Sequence, residues 1–354
     1  MPRTPPALFR KAKRYSPHVA TLLLACRDVP SAVNEYRWIK DHVESTVAQP
    51  FRRSRIAELC RKRGNGVPLQ YVLGSQPFGP LDIRCKRGVL IPRPETEAYT
   101  YHVANLVKTS EWSRELSRNR KDALKVLDLC SGTGCIPLLL FSLLRGNFPK
   151  LAVHGVDVSP IAIGVAEENV RHNVKLGYMQ EATADQSVDF SLRNILDNDD
   201  MLPLTAQPWD IIISNPPYIS RKVWSHGAGQ LGYSVRKYEP ELALVPSPGV
   251  AVPPNWAHAD VFYATLFELA SIIQPRLLVT ELGDLEQAQR VLKNFFSVGI
   301  CNDFNVEVWR DFPDMHQDDI TKETLFIPTL NKGSQTVHIK GTGHIRCIAL
   351  SRKD

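Results

Sequence analysis

From about residue 96 onward, short apolar runs alternate with helical stretches, and this pattern constrains the fold more than any other feature of the chain. The runs are KVLDLC (125–130), LAVHGVDV (151–158), VDFSLRNI (188–195), WDIIIS (209–214), RLLVTEL (276–282) and NVEVW (305–309), with HIRCIAL (344–350) as a last strand. Near-continuous Val, Ile and Leu fit strands buried on both faces rather than half-solvated ones. Helical patterns run to about residue 145, from Pro160 to about 175, and over 258–274 and 285–297. Ser159 before Pro160 makes an N-cap and first-turn pair. Strands alternating with helices predict an α/β domain: a mostly parallel sheet covered on both sides. Residues 197–208, with DNDD, are expected to be a surface loop.

The first quarter reads differently. In SAVNEYRWIKDHV, Val33, Tyr36, Ile39 and Val43 recur at helical spacing, and Ile56, Leu59 and Cys60 do so in RRSRIAELCRKRG. Gly64, Gly66 and Pro68 close that pattern. The expected organisation is a basic tail or presequence over 1–16, a helical domain over 17–68, a β-hairpin and linker over 69–95, and a catalytic domain over 96–354. The tail holds Arg3, Arg10, Lys11, Lys13 and Arg14, and no acidic residue comes before Asp28. An Arg-rich, acid-poor start suits an organelle presequence, although Pro2, Pro5 and Pro6 work against an amphipathic helix there.

Composition excludes several classes. Hydrophobic residues at 43% and charged residues at 23% are a globular balance. The longest apolar run, CIPLLLFSLL, is too short to span a bilayer, so no membrane partner is expected. Seven dispersed cysteines without a CxxC pair fit buried thiols in a reducing compartment. No histidine pattern such as HExxH is present, so no metal is expected. Residues 1–93 carry 18 Lys/Arg against 6 Asp/Glu, a net of +12, whereas the rest of the chain is net −6. The two parts therefore suit different partners, or present differently solvated faces.

Two motifs carry chemistry. LDLCSGTGCI (127–136) lies between a strand and a helix. Gly132 and Gly134 would let backbone approach a ligand near a helix N-terminus. Asp157 ends the following strand, where a carboxylate can hold both hydroxyls of a ribose. Alone the glycine turn reads equally as a tight turn, but Asp157 in register favours a nucleotide. The second motif is ISNPPYIS (213–220), at the end of the strand WDIII. Its prolines remove two donors and stiffen the turn, leaving carbonyls as acceptors. Asn215 adds a side-chain acceptor and Tyr218 a flat face. The set suits a planar group bearing an NH2: one hydrogen goes to the Asn215 side-chain oxygen, the other to a backbone carbonyl. The competing reading is a proline-rich turn with a packed tyrosine.

DLCSGTG, the acid ending the second strand and NPPY together resemble S-adenosylmethionine-dependent methyltransferases that act on amino groups of planar systems. PLQYVLG (68–74), VLIPRPETE (89–97) and VRKYEPELAL (235–244) are similar to signature segments of the HemK-type protein-glutamine methyltransferases, in order and spacing. The resemblance runs from about residue 17 to the C-terminus. It implies a Rossmann-like fold with a seven-stranded, mostly parallel sheet. It also implies methyl transfer from S-adenosyl-L-methionine, leaving S-adenosyl-L-homocysteine, to the amide nitrogen of the glutamine in the Gly-Gly-Gln loop of a class 1 peptide chain release factor. Cofactor binding is then expected at Asp128, Gly132, Gly134, Asp157, Asn194 and Asn215. Catalysis falls to Asn215, Pro216 and Tyr218, and substrate binding to those three with Pro217, Arg93 and Glu97. Cys130 stands where the family often has glycine, and Asn194 where it often has an acid. The full-length form with a helical domain resembles bacterial and organellar members. A monomer in the mitochondrial matrix is expected, with bacterial cytoplasm as the alternative. The intact PRPETE favours the release-factor branch over the one that modifies a ribosomal protein. An acidic catalytic half speaks against a DNA adenine-N6 enzyme or other specific DNA partner. Intact Asp157 and NPPY speak against a non-catalytic adaptor.

Overall fold

The computed structural model of the chain describes residues 4–119, 122–226, 231–297, 299–315, 323–328 and 333–353. It opens with the helices Pro6–Tyr15, Pro17–Cys26, Val29–Thr46 and Arg52–Gly64. Side-chain caps start two of them: Ser16 accepts from the His18 N–H and Asp28 from the Ser31 N–H. Leu22, Leu23, Ile39, Val43, Leu59 and Cys60 form their shared core, with Val33, Tyr36 and Ile56 packed at its edge. The helical stripes in the sequence are therefore the faces that meet. Residues 6–15, expected as tail, are instead a helix that buries Ala12 in this core. Pro6 sits in the first turn, where its missing N–H costs no hydrogen bond. The bundle core also runs past residue 68, taking in Leu69, Val72 and Leu73.

The hairpin of β1 (Ser75–Phe78) and β2 (Leu81–Arg84) is antiparallel as expected, but it is not a linker. Phe78, Leu81 and Ile83 are buried in the core of the main sheet. The Asp82 and Arg84 N–H groups donate to the side chains of Asn173 (2.9 Å) and Asn169 (2.7 Å).

The remaining strands are β3 (Leu124–Leu129), β4 (Leu151–Asp157), β5 (Gln186–Leu192), β6 (Ile211–Ser214), β7 (Leu277–Glu281), β8 (Phe304–Phe312), β9 (Thr324–Pro328), β10 (Ser334–Lys340) and β11 (Thr342–Arg352). They form one sheet in the order β5-β4-β3-β6-β7-β11-β8-β10-β9. Strands β5 to β7 in that order are parallel, and β11 runs antiparallel to both neighbours. Seven strands follow the expectation; β9 and β10 extend one edge beyond it. Side chains alternate between two cores: Val126, Ile211 and Ile213 face one, Leu127, Leu129 and Ile212 the other.

Register aligns the strand ends. Leu129 pairs with Val156 and with Ser214, and Ser214 pairs with Thr280. The next residue on each strand is Cys130, Asp157, Asn215 or Glu281. These four stand in a row at the carboxyl edge, across the point where strand order reverses between β3 and β6. That crevice is where open α/β sheets bind ligands.

Residues 198–205, expected as loop, form a helix, Asn198–Thr205. Asp197 caps it by accepting from the Asp199 and Asp200 N–H groups, and its inner face buries Met201 and Leu204.

Candidate active site

A cavity of about 610 Å³ opens at this edge, within the range of ligand sites. Its wall includes residues 88–93, the glycine loop, Asp157, Asn194, Asn215 and Pro217.

The glycine loop is shaped by backbone. Cys130, Gly132 and Gly134 all have positive φ, at 67°, 55° and 76°. Gly132 lines the cavity, and a Cβ there would meet only Val89 Cγ1 at 3.9 Å, so bare backbone faces open space. Gly134 does not face the cavity as expected. A Cβ there would meet Phe190 Cζ at 2.8 Å and Ala166 Cβ at 2.9 Å, so this glycine serves helix–sheet packing. Cys130 adopts a left-handed conformation that favours glycine. Burial pushes its thiol pKa well up, so it stays neutral.

Asp157 closes the loop. One carboxylate oxygen accepts from the Gly132 N–H and the other from the Ser159 N–H, both at 2.8 Å. Burial raises its pKa, and these donors oppose the rise. Each oxygen keeps a lone pair for a ligand hydroxyl. Asp128 is not in the cavity wall: it is fully buried, and burial pushes its carboxyl well above the usual range. Asn194 lines the cavity, with its N–H donating to Asp200 (2.6 Å) and its side-chain oxygen accepting from the Leu196 N–H (3.1 Å). The DNDD stretch thus supports a cavity residue. Pro246, Ser247, Gly249, Val250, Ala251 and Pro253 form another part of the wall, which gives the 246–256 stretch a place in the site.

The NPPY turn is held by side chains. The Ser214 hydroxyl donates to the Leu129 carbonyl (2.7 Å) and ties the end of β6 to β3. Asn215 Nδ2 donates to Glu281 Oε2 (2.8 Å) and lies 3.5 Å from Thr96 Oγ1. With the NH2 end held by Glu281, Oδ1 is the opposite end of the amide. Tyr218 is not a flat face in the cavity wall; its hydroxyl donates to Glu281 Oε1 (3.0 Å). Pro216 and Pro217 are both buried; Pro217 lines the cavity, whereas Pro216, expected to act there, is not in its wall.

Sequence reasoning missed Glu281 and Thr96. A buried glutamate inside the apolar run RLLVTEL was the available signal, since a lone charge seldom sits in a central strand. Thr96 shares the buried helical face of Tyr99, Val103 and Val107, at helical spacing.

PRPETE starts the helix Pro94–Thr109. Glu95 and Glu97 lie in its first turn, where acids complement the helix dipole. Glu97 is absent from the cavity wall, and Thr96 stands there instead. Arg93 lines the cavity and pairs with the buried Glu239 (2.7 Å), which also accepts from the Ile91 N–H (3.1 Å). Tyr71 and Gln76 hold the same segment through the carbonyls of Val89 (2.8 Å) and Pro92 (2.7 Å).

Comparison with known proteins accords with this geometry. Residues 120–302 match a family model described as a methyltransferase domain. A Schizosaccharomyces pombe protein named probable MRF1 mitochondrial N(5)-glutamine methyltransferase mtq1 is 31% identical over 82% of this chain and 87% of its own length. The Saccharomyces cerevisiae mitochondrial MRF1 N(5)-glutamine methyltransferase MTQ1 is 34% identical over 69% of this chain and 68% of its own. The release factor glutamine methyltransferase of Rhodopirellula baltica is 32% identical over 68% and 70%. With a methyltransferase sheet, an acid-closed glycine loop and an NPPY turn at one crevice, the chain belongs to the family of release factor N(5)-glutamine methyltransferases.

Proposed function

We propose that this chain methylates the side-chain amide nitrogen of the glutamine in the Gly-Gly-Gln loop of a class 1 peptide chain release factor. It would do so in the mitochondrial matrix, supporting translation termination. The names of its relatives support the substrate and, for the two yeast proteins, the compartment. The observation that carries the chemistry is the orientation of Asn215: its NH2 is engaged by Glu281, and its oxygen remains to accept from an incoming NH2.

The residues present fit S-adenosylmethionine. Gly132 offers backbone that a Cβ would cover, and Asp157 offers two acceptors suited to a ribose diol. Asn194, with Ile195, Leu196 and Val250, suits the edge and face of an adenine. When bound, the cofactor supplies an electrophilic methyl group on a sulfonium.

The chain's own contribution is placement and charge. An amide nitrogen is a weak nucleophile because its lone pair is delocalised into the carbonyl. Acceptors on its hydrogens favour the positive charge that grows as it reacts. Asn215 Oδ1 takes one hydrogen, and a main-chain carbonyl of the NPPY turn would take the other. Pro217 and Arg93 shape the entry, and Tyr218 holds the turn from behind through Glu281. Fixing the amide in one pose supplies the entropic share of the rate. The helical domain, net basic with the segment that follows it, would dock the folded factor.

The test mixes purified protein, labelled S-adenosylmethionine and a mitochondrial-type release factor, beside a factor whose Gly-Gly-Gln glutamine is replaced. Label on the first factor alone is the expected outcome. Equal label on both, or none with cofactor binding intact, would overturn the assignment of the acceptor.

A further inference from the structure

Glu281 is the hub of a buried hydrogen-bonded cluster behind the NPPY turn. It ends β7, one step beyond the Ser214–Thr280 pair, and so lies beside Asn215 on the neighbouring strand. It is 2% exposed, and three neutral donors point at its carboxylate: Thr96 Oγ1 (2.8 Å), Asn215 Nδ2 (2.8 Å) and Tyr218 OH (3.0 Å). Burial raises the Glu281 pKa, and these donors together with the charge of Arg346, whose Nε pairs with Asp311 (2.8 Å), oppose the rise and favour the carboxylate. Buried carboxylates are costly, and a chain keeps one where its geometry does something an apolar residue cannot.

A carboxylate only accepts hydrogen bonds, whereas an amide can present either end. An asparagine in a neutral pocket can therefore flip, offering NH2 or oxygen to whatever it faces. Against Glu281 that choice is removed. We propose that Glu281 is a positioning residue for the transfer reaction, an accept-only anchor that locks the Asn215 amide with its oxygen toward the substrate NH2. Thr96 braces the lock: it donates to the same Glu281 oxygen that accepts from Asn215, and its hydroxyl lies 3.5 Å from Asn215 Nδ2. The inference rests on the proposed amide transfer.

A swap of donor and acceptor tests it. In E281Q the new NH2 competes to donate to Asn215 Oδ1, turning the Asn215 NH2 toward the cleft. The expected result is a fall in kcat of about 10²-fold, as for a lost transition-state hydrogen bond, with KM for the factor nearly unchanged. N215D alone sets two carboxylates against each other and also loses activity. In the double variant N215D/E281Q, the NH2 introduced on β7 donates to one oxygen of the carboxylate introduced in the NPPY turn. The other oxygen of that carboxylate stands where Oδ1 stood. The double variant should recover about tenfold or more over E281Q, a coupling that a merely structural residue would not show. A double variant no better than the worse single, or E281Q with wild-type kcat, overturns the inference. Should E281Q fail to fold, T96V removes one of the donors that fix the Glu281 carboxylate in the same lock. It should lower kcat severalfold without moving cofactor affinity, and an unchanged kcat overturns the inference equally. Wild-type protein that transfers no label to the factor overturns the functional reading itself. Wild-type transfer with an indifferent E281Q overturns this step alone.

Discussion

The two halves of the crevice are built by different means. The glycine-loop half is main chain: left-handed backbone at every second residue from Cys130 to Gly134, a bare backbone face and N–H groups gathered onto Asp157. All of it comes from residues 130–159, so local sequence assembles it once β3 and β4 are paired. The NPPY half is side chain. Its members come from the first turns of one helix, the turn after β6 and the end of β7, with Thr96 separated from Asn215 by 119 positions and Glu281 by 66. The first half shapes space and depends on φ. The second orients one amide and depends on particular atoms arriving from distant segments. A substitution in the first should therefore read out as affinity or stability, and one in the second as turnover.

The largest effect should come from Asn215→Ala. It removes the acceptor assigned to the substrate NH2, and kcat should fall by about 10²–10³-fold. S-adenosylmethionine affinity, read by calorimetry, should stay near the wild-type value, because Gly132 and Asp157 are untouched. Equal losses in both would show that the halves are not separable.

This division also explains what the sequence disclosed. Strands β3, β6 and β7 were legible because both-face burial writes continuous apolar runs, and Asp157 and Asn215 because each stands at the end of a strand run. The outer strands β9 and β10 were not: SQTVHIK is largely polar because most of its side chains are exposed, and only Val337 is buried. Asn198–Thr205 was hidden by its acidic start, which is an N-terminal cap rather than a loop. Tyr218, Glu97 and Gly134 were singled out as residue types, but their directions depend on tertiary partners: Glu281, a helix N-terminus, and Phe190 with Ala166. Glu281 itself required the β6–β7 register, which no local pattern reports.

Gly134→Ala should sharpen the comparison from the stability side. The new methyl must pass Phe190 and Ala166 at under 3.0 Å and hold a φ of 76°. Overpacking and left-handed strain together predict a loss of about 2–4 kcal/mol in urea unfolding. The kcat of the folded fraction should be retained, and a folded protein with slow chemistry would contradict a packing role. A smaller effect is expected from Asp157→Asn, which keeps one acceptor but points an NH2 at the N–H of Gly132 or Ser159. One poorly satisfied charged hydrogen bond predicts cofactor binding weaker by about 1.5–3 kcal/mol. Turnover at saturating cofactor should change little. If kcat falls instead, Asp157 reaches into the side-chain half and the boundary between the two is misplaced.

The smallest effect should come from Cys130→Gly, at the one non-glycine among the three left-handed loop positions. An L-residue there costs about 1–2 kcal/mol. Cys130→Gly relieves that cost, but it adds backbone entropy to the unfolded chain, about 0.5–1 kcal/mol, and removes a thiol packed against the core. These terms nearly cancel, so Cys130→Gly should shift unfolding free energy by less than about 1 kcal/mol in either direction. Cys130→Val keeps a partly buried apolar group but places a β-branched side chain at positive φ, and should destabilise by about 2 kcal/mol or more. Paired urea titrations of the two variants decide the matter. A main-chain cradle tolerates glycine and rejects valine. If glycine costs as much as valine, thiol packing sets the loop, and the glycine-loop half depends on its side chains as the NPPY half does.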